Sequence, residues 1–196
     1  MIIEGLLATT SASGAFHLVP MGPRITGDID SLLLRPFEGS ESLENLRRNR
    51  CGVFHITDDV LLLAKAAIHN LETSPESVAT PSGKCRRLAD CCRWFECEVT
   101  QISETPPRIE VECEVVDQGF VRHWSGFNRA KHAVIEAAIL ATRIKFIAAS
   151  EVEAEFERLA VPIAKTGGHQ EHRTFAFLQR YVHEQIANLR TESIPQ

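Results

Sequence analysis

The 196-residue sequence has few aromatic residues and no long apolar run. Phe, Tyr and Trp together make up 7% of the chain. No apolar stretch approaches the roughly 20 residues of a membrane-spanning helix, and the N-terminus lacks the basic start and apolar core of a signal peptide. Hydrophobic residues at 44% and charged residues at 24% are ordinary for a globular protein. We therefore expect a cytoplasmic protein with one domain, or one domain and a small appendage.

The sequence also lacks a basic block and the common nucleotide or hydrolase motifs. The formal net charge is −5, which argues against nucleic acid as the main partner. No G-x-G-x-x-G, Walker A, H-E-x-x-H or G-x-S-x-G pattern is present. The run Lys165-Thr166-Gly167-Gly168 resembles a phosphate loop only superficially, because no strand precedes it.

Cysteine is present, but not at the spacing of a metal site. The six cysteines are Cys51, Cys85, Cys91, Cys92, Cys97 and Cys113. None of them forms a C-x-x-C pair, and their spacings match no zinc motif. In a reducing cytosol such residues act as small buried hydrophobes. We therefore expect neither a metal centre nor a disulfide framework.

The first two thirds of the chain predict antiparallel strands. Ile109, Val111, Cys113 and Val115 alternate with three glutamates, which is the period of a strand with one buried face. Thr105, Pro106 and Pro107 form a turn between the last two strands. Consecutive hairpins without β-α-β alternation favour an antiparallel barrel over a Rossmann sheet. The predicted strands are Met1–Ser11, Phe16–Met21, Ser31–Leu34, Val53–Thr57, Trp94–Ser103 and Arg108–Asp117.

Two segments between these strands differ in character. Val60–Ala67 is apolar and either helical or extended. Leu71–Lys84 is rich in Ser, Thr and Pro and has little to bury, so it predicts a mobile loop. Such a loop is either a lid over a site or a plain surface connection, and the sequence leaves both open.

The apolar period becomes helical from Ser125 onward and predicts three helices. The first, which begins near Ala130, carries an apolar stripe made mostly of Ala, so the barrel or a partner subunit packs close against it. Ser150 with Glu153 predicts a capping box for a helix over Glu151–Leu159, which Pro162 interrupts. Glu171–Leu189 is the third helix. The sequence thus divides into a strand-rich domain over 1–125 and a helical subdomain over 126–196.

The stretch from Ser31 to Asp59 combines groups suited to a phosphate. A short helix over Leu43–Arg50 follows Arg35, with Ser40 or Ser42 as its N-cap. A guanidinium, hydroxyls and the N–H groups of a helix start make a phosphate cradle. The alternative is an ordinary cap and a surface arginine paired to a carboxylate.

A second set of candidates lies at the end of the second strand. Pro20 lacks an N–H and belongs at an edge or a bulge, where nearby amides are left for a ligand. Gly22 would let a flat group approach the main chain closely.

The order of several short blocks resembles a known family. The blocks are Val19-Pro20-Met21-Gly22, Leu34-Arg35-Pro36-Phe37, Gly39-Ser40, Ser42-x-x-Asn45-Leu46, Gly52 to Asp59, Gly126 to Lys131, and Lys165 to Gly168 with Glu171. Together they resemble the flavin reductase-like, FMN-binding split barrels, and within them the family called domain of unknown function 447. The resemblance spans nearly the whole chain.

The resemblance implies a mainly β protein with α, in which an antiparallel, Greek-key split β-barrel precedes a C-terminal helical subdomain. It also implies a homodimer that holds FMN near the subunit interface. Phosphate contacts would come from Arg35, Ser40, Ser42 and Asn45, and the isoalloxazine edge would lie on Pro20, Met21 and Gly22. The remaining implied FMN-binding residues are Pro36, Phe37, Arg129 and Lys131. His55 stands where related flavin barrels often carry Asn.

Three functions follow from these patterns. The first is a flavin-dependent oxidoreductase whose substrate and electron donor the sequence does not identify. The second is a non-catalytic FMN-binding dimer, such as an accessory protein of pterin or one-carbon metabolism, suggested by the lack of an obvious acid–base pair. The third is a structural dimer without cofactor that uses the Ala-rich helix as its interface.

Overall fold

The structure, a computed structural model, describes residues 1–25, 27–104 and 109–192 in two compact units. A sheet unit contains residues 1–58 and 71–124, and a helical unit contains 59–70 and the chain from 125 onward. The predicted turn at Thr105, Pro106 and Pro107 lies outside the described residues.

Eight strands form in the described part of the sheet unit, and the six predicted strands are among them. They are β1 (Gly5–Thr10), β2 (Phe16–Met21), β3 (Ser31–Leu34), β4 (Cys51–Ile56), β5 (Ser77–Ala79), β6 (Arg86–Leu88), β7 (Arg93–Ser103) and β8 (Glu110–Phe120). The early helix α1 spans Glu41–Asn49. It ends because Arg50 takes the left-handed conformation, with φ 56°, and β4 begins at the next residue.

The main sheet has six strands in the order β2-β1-β4-β7-β8-β3. Every neighbouring pair is antiparallel, as the sequence predicts. The predicted split barrel is not closed in the described residues, since β2 and β3 remain the two edges of the sheet. Arg24 comes between them: its N–H and C=O each bond Leu33 at 3.0 Å, and it also bridges to Ile2. These bridges are too short to form another strand.

One face of the sheet carries the apolar core. Leu7, Phe54 and Phe95 are fully buried there, with α1 contributing Leu43 and Leu46. The alternation predicted for β8 is confirmed over its first half, where Ile109, Val111 and Cys113 are buried and the glutamates between them face outward. The register between β7 and β8 shifts at Glu96 and Cys97. The shift leaves Val116 without a paired residue on β7, and this side chain is 48% exposed.

The segment 71–84 is not a loop throughout. Its residues Ser77–Ala79 form β5, which pairs with β6 in a two-stranded sheet. The hairpin between them is closed by Thr80, whose N–H donates to the Cys85 carbonyl at 3.0 Å. Strands of three residues carry too few positions for a period to be recognised in the sequence.

The helical unit consists of α2 (Val60–Ala67), α3 (Arg129–Ala141), α4 (Ala149–Thr166) and α5 (His169–Glu192). The helical alternative for Val60–Ala67 is thus the one observed. The Ala-rich face of α3 is buried as predicted, but it packs on α2, α4 and α5 of the same unit. Small side chains are needed because three helices approach one face.

Helix α4 differs from the prediction at both ends. It begins after Ala148, with no side-chain cap, so the capping box of Ser150 and Glu153 does not form. It also continues through Pro162 to Thr166. A proline inside a helix costs about 3 kcal/mol, but the apolar face of α4, with Phe156 on one side of Pro162 and Ile163 on the other, is buried and offsets that cost. Among the described residues no helix is both long and apolar enough to cross a membrane.

Candidate functional site

The start of α1 follows from a tight turn after β3. The Ser40 N–H donates to the Phe37 carbonyl at 3.2 Å, and Gly39 between them has φ +73°. That conformation suits glycine because a Cβ would strain it. The Ser40 hydroxyl then accepts from the Leu43 N–H at 3.4 Å. Of the two serines considered as the N-cap, Ser40 is therefore the one that caps the helix.

Ser42 and Asn45 lie on the buried face of α1. The Ser42 hydroxyl is 3.2 Å from Nε2 of His17, a residue of β2, and His17 Nδ1 is 3.4 Å from the Glu41 carboxylate. The Asn45 amide donates to the Thr9 hydroxyl at 3.0 Å. Both predicted phosphate ligands thus already bond to neighbouring strands and fix α1 on the sheet.

Arg35, Pro36 and Phe37 connect β3 to this turn. Nε of Arg35 lies 3.5 Å from Glu110 Oε1, and 38% of the Arg35 side chain is exposed. Pro36 is buried, and its carbonyl accepts from the Ile109 N–H at 3.1 Å. Phe37 is 57% exposed. Its ring is therefore not part of the core.

The electrostatics of this region are mixed. Glu41 and Glu44 occupy the first turn of α1, where they stabilise the positive end of the helix dipole. Glu110 stands beside Arg35. A phosphate at the helix start would meet a guanidinium, serine hydroxyls and the His17 imidazole, but also this acidic rim. The site binds an anion only if hydrogen-bond donation from the first group outweighs repulsion from the second.

Pro20, Met21 and Gly22 lie at the end of β2, next to the first residues of the chain. Pro20 pairs with Leu6, and Met21 pairs with Gly5. Because β2 is an edge strand, the missing N–H of Pro20 disrupts no ladder, as predicted. A Cβ on Gly22 would lie 2.8 Å from Ile2 Cγ2 and 3.2 Å from Glu4 Oε1. In this structure the close approach at Gly22 is therefore made by the chain itself.

Arg129 and Lys131 belong to the helical unit. Arg129 is the exposed first residue of α3. Lys131 Nζ lies 3.1 Å from Glu171 Oε1, and the other Glu171 oxygen accepts from the Gly168 N–H at 2.8 Å. Burial alone would raise the pKa of Glu171, but the hydrogen bonds from Lys131 and Gly168 outweigh it and hold the pKa below its usual value. Lys131 therefore joins the starts of α3 and α5.

His55 has a structural role, the linking of neighbouring strands, that its position in the sequence does not reveal. The ring is fully buried, with Nδ1 3.1 Å from the Leu6 carbonyl and Nε2 3.0 Å from the Leu88 N–H. Since Nε2 accepts from an N–H, the ring proton must be on Nδ1, where it donates to Leu6. Burial lowers the pKa of His55 to about 4. The neutral ring joins β1, β4 and β6.

His17 is the residue of this region that sequence reasoning missed. A signal was present, because His17 stands in a strand between apolar residues, and a polar residue there needs a partner. The partners, Ser42 and Glu41, are separated from it by about 25 positions and could not be assigned from the sequence.

An antiparallel sheet with one early helix, followed by a group of helices, is shared with solved flavin proteins. An FMN-bound protein of Methanosarcina mazei matches 92% of this chain and 94% of its own, with 20% identity and a TM-score of 0.77. Flavoredoxin of Methanosarcina acetivorans matches 62% of this chain and 69% of its own, with 14% identity and a TM-score of 0.53. The 2-nitrobenzoate 2-nitroreductase of Pseudomonas fluorescens matches 60% and 64%, with 14% identity and a TM-score of 0.52. The fold is therefore similar to that of these three proteins.

The sequence also matches two models of one protein family. Residues 3–122 match the N-terminal domain of the protein family of unknown function DUF447, and residues 128–180 match a second model of that family. The chain belongs to the DUF447 family, as its sequence blocks indicate. The M. mazei protein is described as a member of the same family.

Proposed function

We propose that this protein binds FMN and acts as a flavin-dependent oxidoreductase. The observation that carries the proposal is that a member of the same family, with the same fold over 92% of this chain, is FMN-bound. The structures that resemble the sheet unit include a flavoredoxin and a nitroreductase. This range of proteins favours a redox role for the bound flavin.

The donors at the start of α1 fit a phosphate ester. The Ser40 hydroxyl accepts from Leu43, so its own O–H remains to donate. The Arg35 guanidinium carries five N–H donors in a planar fork suited to phosphate oxygens. Ser42 and Asn45 would support this group from below, and Phe37 would cover the ring. FMN, when bound, supplies hydride or electron transfer, and the protein orients it and limits water access.

We further propose that the protein is a split barrel that assembles as a homodimer. Arg24 already pairs with both Ile2 and Leu33, so a few more hydrogen bonds would join the two edges of the sheet. Large apolar side chains are exposed in each unit, Phe120 at 59% in the sheet unit and Phe127 at 87% in the helical unit. Such exposed aromatic side chains are candidates for the contact surface of a dimer.

A second candidate is an FMN-binding protein without catalytic activity, such as an accessory dimer in pterin or one-carbon metabolism. The observation in its favour is that two of the three basic candidates already stand beside a carboxylate, Arg35 near Glu110 and Lys131 near Glu171. A charge held in this way stabilises a fold more readily than it transfers protons. A cofactor-free dimer built on the Ala-rich face of α3 has less support, since that face is buried within its own unit.

The proposal is tested first by the visible spectrum of the purified protein and then by FMN titration. Arg35→Ala should weaken FMN binding by about 1.5 to 3 kcal/mol, because a charge-assisted contact to phosphate is lost. The matched control is Arg158→Ala, which removes an exposed arginine whose partner is Glu155 on the same helix. Equal affinity of the Arg35 variant and the wild type would show that the phosphate lies elsewhere.

The catalytic part needs a separate measurement. Bound FMN should lose its visible absorption on anaerobic addition of NADH, NADPH or a reduced deazaflavin. Tight FMN binding without bleaching by any of these donors would support the accessory role. A protein that retains no flavin and shows no binding in titration would refute both candidates.

A further inference from the structure

The β5–β6 hairpin packs against one face of β4 and β7. Cys51 and His55 are four positions apart on β4, so their side chains point to the same face of the sheet. Cys51 pairs with Glu98 of β7 and His55 pairs with Trp94, so these two residues lie on that face as well. This is the face opposite the core that contains Phe54 and Phe95. The hairpin contacts it through Ser82 to Glu96 at 2.6 Å, Lys84 to Glu98 at 2.5 Å, Leu88 to His55 at 3.0 Å, and Cys85 to Cys51 at 3.0 Å.

The last of these contacts brings two thiols together across the hairpin boundary. Their sulfur atoms are 3.0 Å apart, with 9% of Cys51 and 6% of Cys85 exposed. A disulfide requires a separation of about 2.05 Å, so a movement of roughly 1 Å would suffice. The Cys85 thiol donates its hydrogen bond to Cys51. This bond lowers the pKa of Cys51 despite its burial, while the same contact and burial raise the pKa of Cys85.

A buried carboxylate beside the pair is the second observation. Glu96 is 1% exposed, and its Oε1 accepts from Ser82. Its Oε2 is buried and has no hydrogen-bond partner among the described residues. The Glu96 charge acts on both sulfurs: it adds to the rise in the pKa of Cys85 and opposes the lowering of the pKa of Cys51. A buried hydrogen-bond acceptor that has no donor lowers the stability of a protein. Here that acceptor, Glu96 Oε2, stands next to two thiols that must release protons if they react.

We propose that Cys51 and Cys85 are a redox site that forms a reversible disulfide with a low-molecular-weight disulfide as the oxidant. The Cys51 thiolate attacks one sulfur of the reagent and the reagent S–S bond breaks: the attacked sulfur stays in a mixed disulfide with Cys51, and the other sulfur leaves as a thiol with the proton that Cys51 released. Cys85 then loses its proton toward Glu96 and attacks the Cys51 sulfur, and the second reagent thiol leaves with a proton. Two protein thiols and one reagent disulfide thus yield one protein disulfide and two reagent thiols.

The bond would fasten the hairpin to β4. Residues 51 and 85 are far apart along the chain, and between them lie α2 and β5. The other links between hairpin and sheet are non-covalent, and they include the exposed Lys84–Glu98 ion pair and the Arg87 guanidinium 5.5 Å from the centre of the Trp94 ring. Oxidation would therefore add a covalent bond to a set of non-covalent contacts, and the hairpin would open less often.

The test is a peptide map of the folded wild-type protein equilibrated in mixtures of oxidised and reduced glutathione. After acid quenching, the sample is unfolded in denaturant and alkylated with N-ethylmaleimide at neutral pH, and the reduced sample should then carry label on all six cysteines. The oxidised sample should lose label at Cys51 and Cys85 and should yield a linked peptide that contains both. Amide hydrogen exchange of Ser77–Leu88 should slow by several fold on oxidation.

Matched variants complete the test. Cys51→Ser should abolish the linked peptide, and Cys91→Ser, which changes another buried cysteine, should leave it intact. The proposal is wrong if all six cysteines alkylate at every glutathione ratio, if the linked peptide joins a different pair, or if hairpin exchange is unchanged by oxidation. If Cys51→Ser does not fold, the wild-type map alone decides.

Discussion

Acid should destabilise this protein through His55. The ordinary pKa of a histidine is 6.5, and burial lowers that of His55 to about 4. The unfolded chain therefore takes up a proton below pH 6.5, while the folded ring stays neutral until about pH 4. Because the unfolded state binds more protons in this window, the free energy of unfolding must fall as the pH falls.

The size of the effect follows from the difference between the two pKa values. A shift of about 2.5 units at 1.36 kcal/mol per unit sets an upper limit of roughly 3 kcal/mol. Over the accessible range from pH 7 to pH 5, linkage gives a loss of about 2 kcal/mol. That is a large share of the 5–15 kcal/mol by which domains are usually stable.

The assay is urea unfolding at pH 7, 6 and 5 for three proteins. His55→Gln should be less stable at pH 7, since the Leu6 carbonyl and Leu88 N–H lose their shared ring. Its stability should then fall by about 2 kcal/mol less than that of the wild type on going to pH 5. His123→Gln, which replaces an exposed histidine of the same unit, should follow the wild type. Parallel pH profiles for wild type and His55→Gln would refute the reasoning.

Two other substitutions test packing and charge. Gly119→Ala would place a Cβ 2.6 Å from the Trp94 indole. Chemical unfolding should therefore show a free energy of unfolding lower by about 1–3 kcal/mol. A decrease below about 0.5 kcal/mol would mean that the ring moves freely. Lys131→Met should raise the pKa of Glu171, since the ion pair is lost. NMR titration of the glutamate carboxyl carbons measures this pKa. An unchanged titration would show that the Gly168 N–H alone lowers the pKa of Glu171.

The main sheet was readable from the sequence because its strands are long or bounded by Gly and Pro. Alternation gave the buried face of β8, and the helical period gave α3 and α5. The short strands β5 and β6 were missed because their pairing depends on contacts to β4 and β7. The prediction that Pro162 interrupts its helix was wrong for a similar reason. Helix propensity favours a break at proline, but tertiary packing of α4 overrides that preference.

The candidate site was only partly predictable. The Ser40 cap and the edge position of Pro20 follow from local rules about helix starts and proline. The partners of Ser42 and Asn45 do not, because His17 and Thr9 reach α1 from strands distant in sequence. The same limit applies to Gly22. A glycine in the sequence indicates that some group comes close to the main chain, but only the fold shows that this group is the chain itself, at Ile2 and Glu4.

The membership of α2 in the helical unit has a consequence for synthesis. The ribosome makes α2 before the second half of the sheet, yet α2 packs on α3 and α5. About 60 positions separate the end of α2 from the start of α3, which at 5–20 residues per second corresponds to roughly 3 to 12 seconds. During that interval the apolar side chains Leu63 and Ala64 have no helical neighbour. The nascent chain thus exposes a short hydrophobic segment during this interval, and a stop codon placed after the sheet would make the exposure permanent.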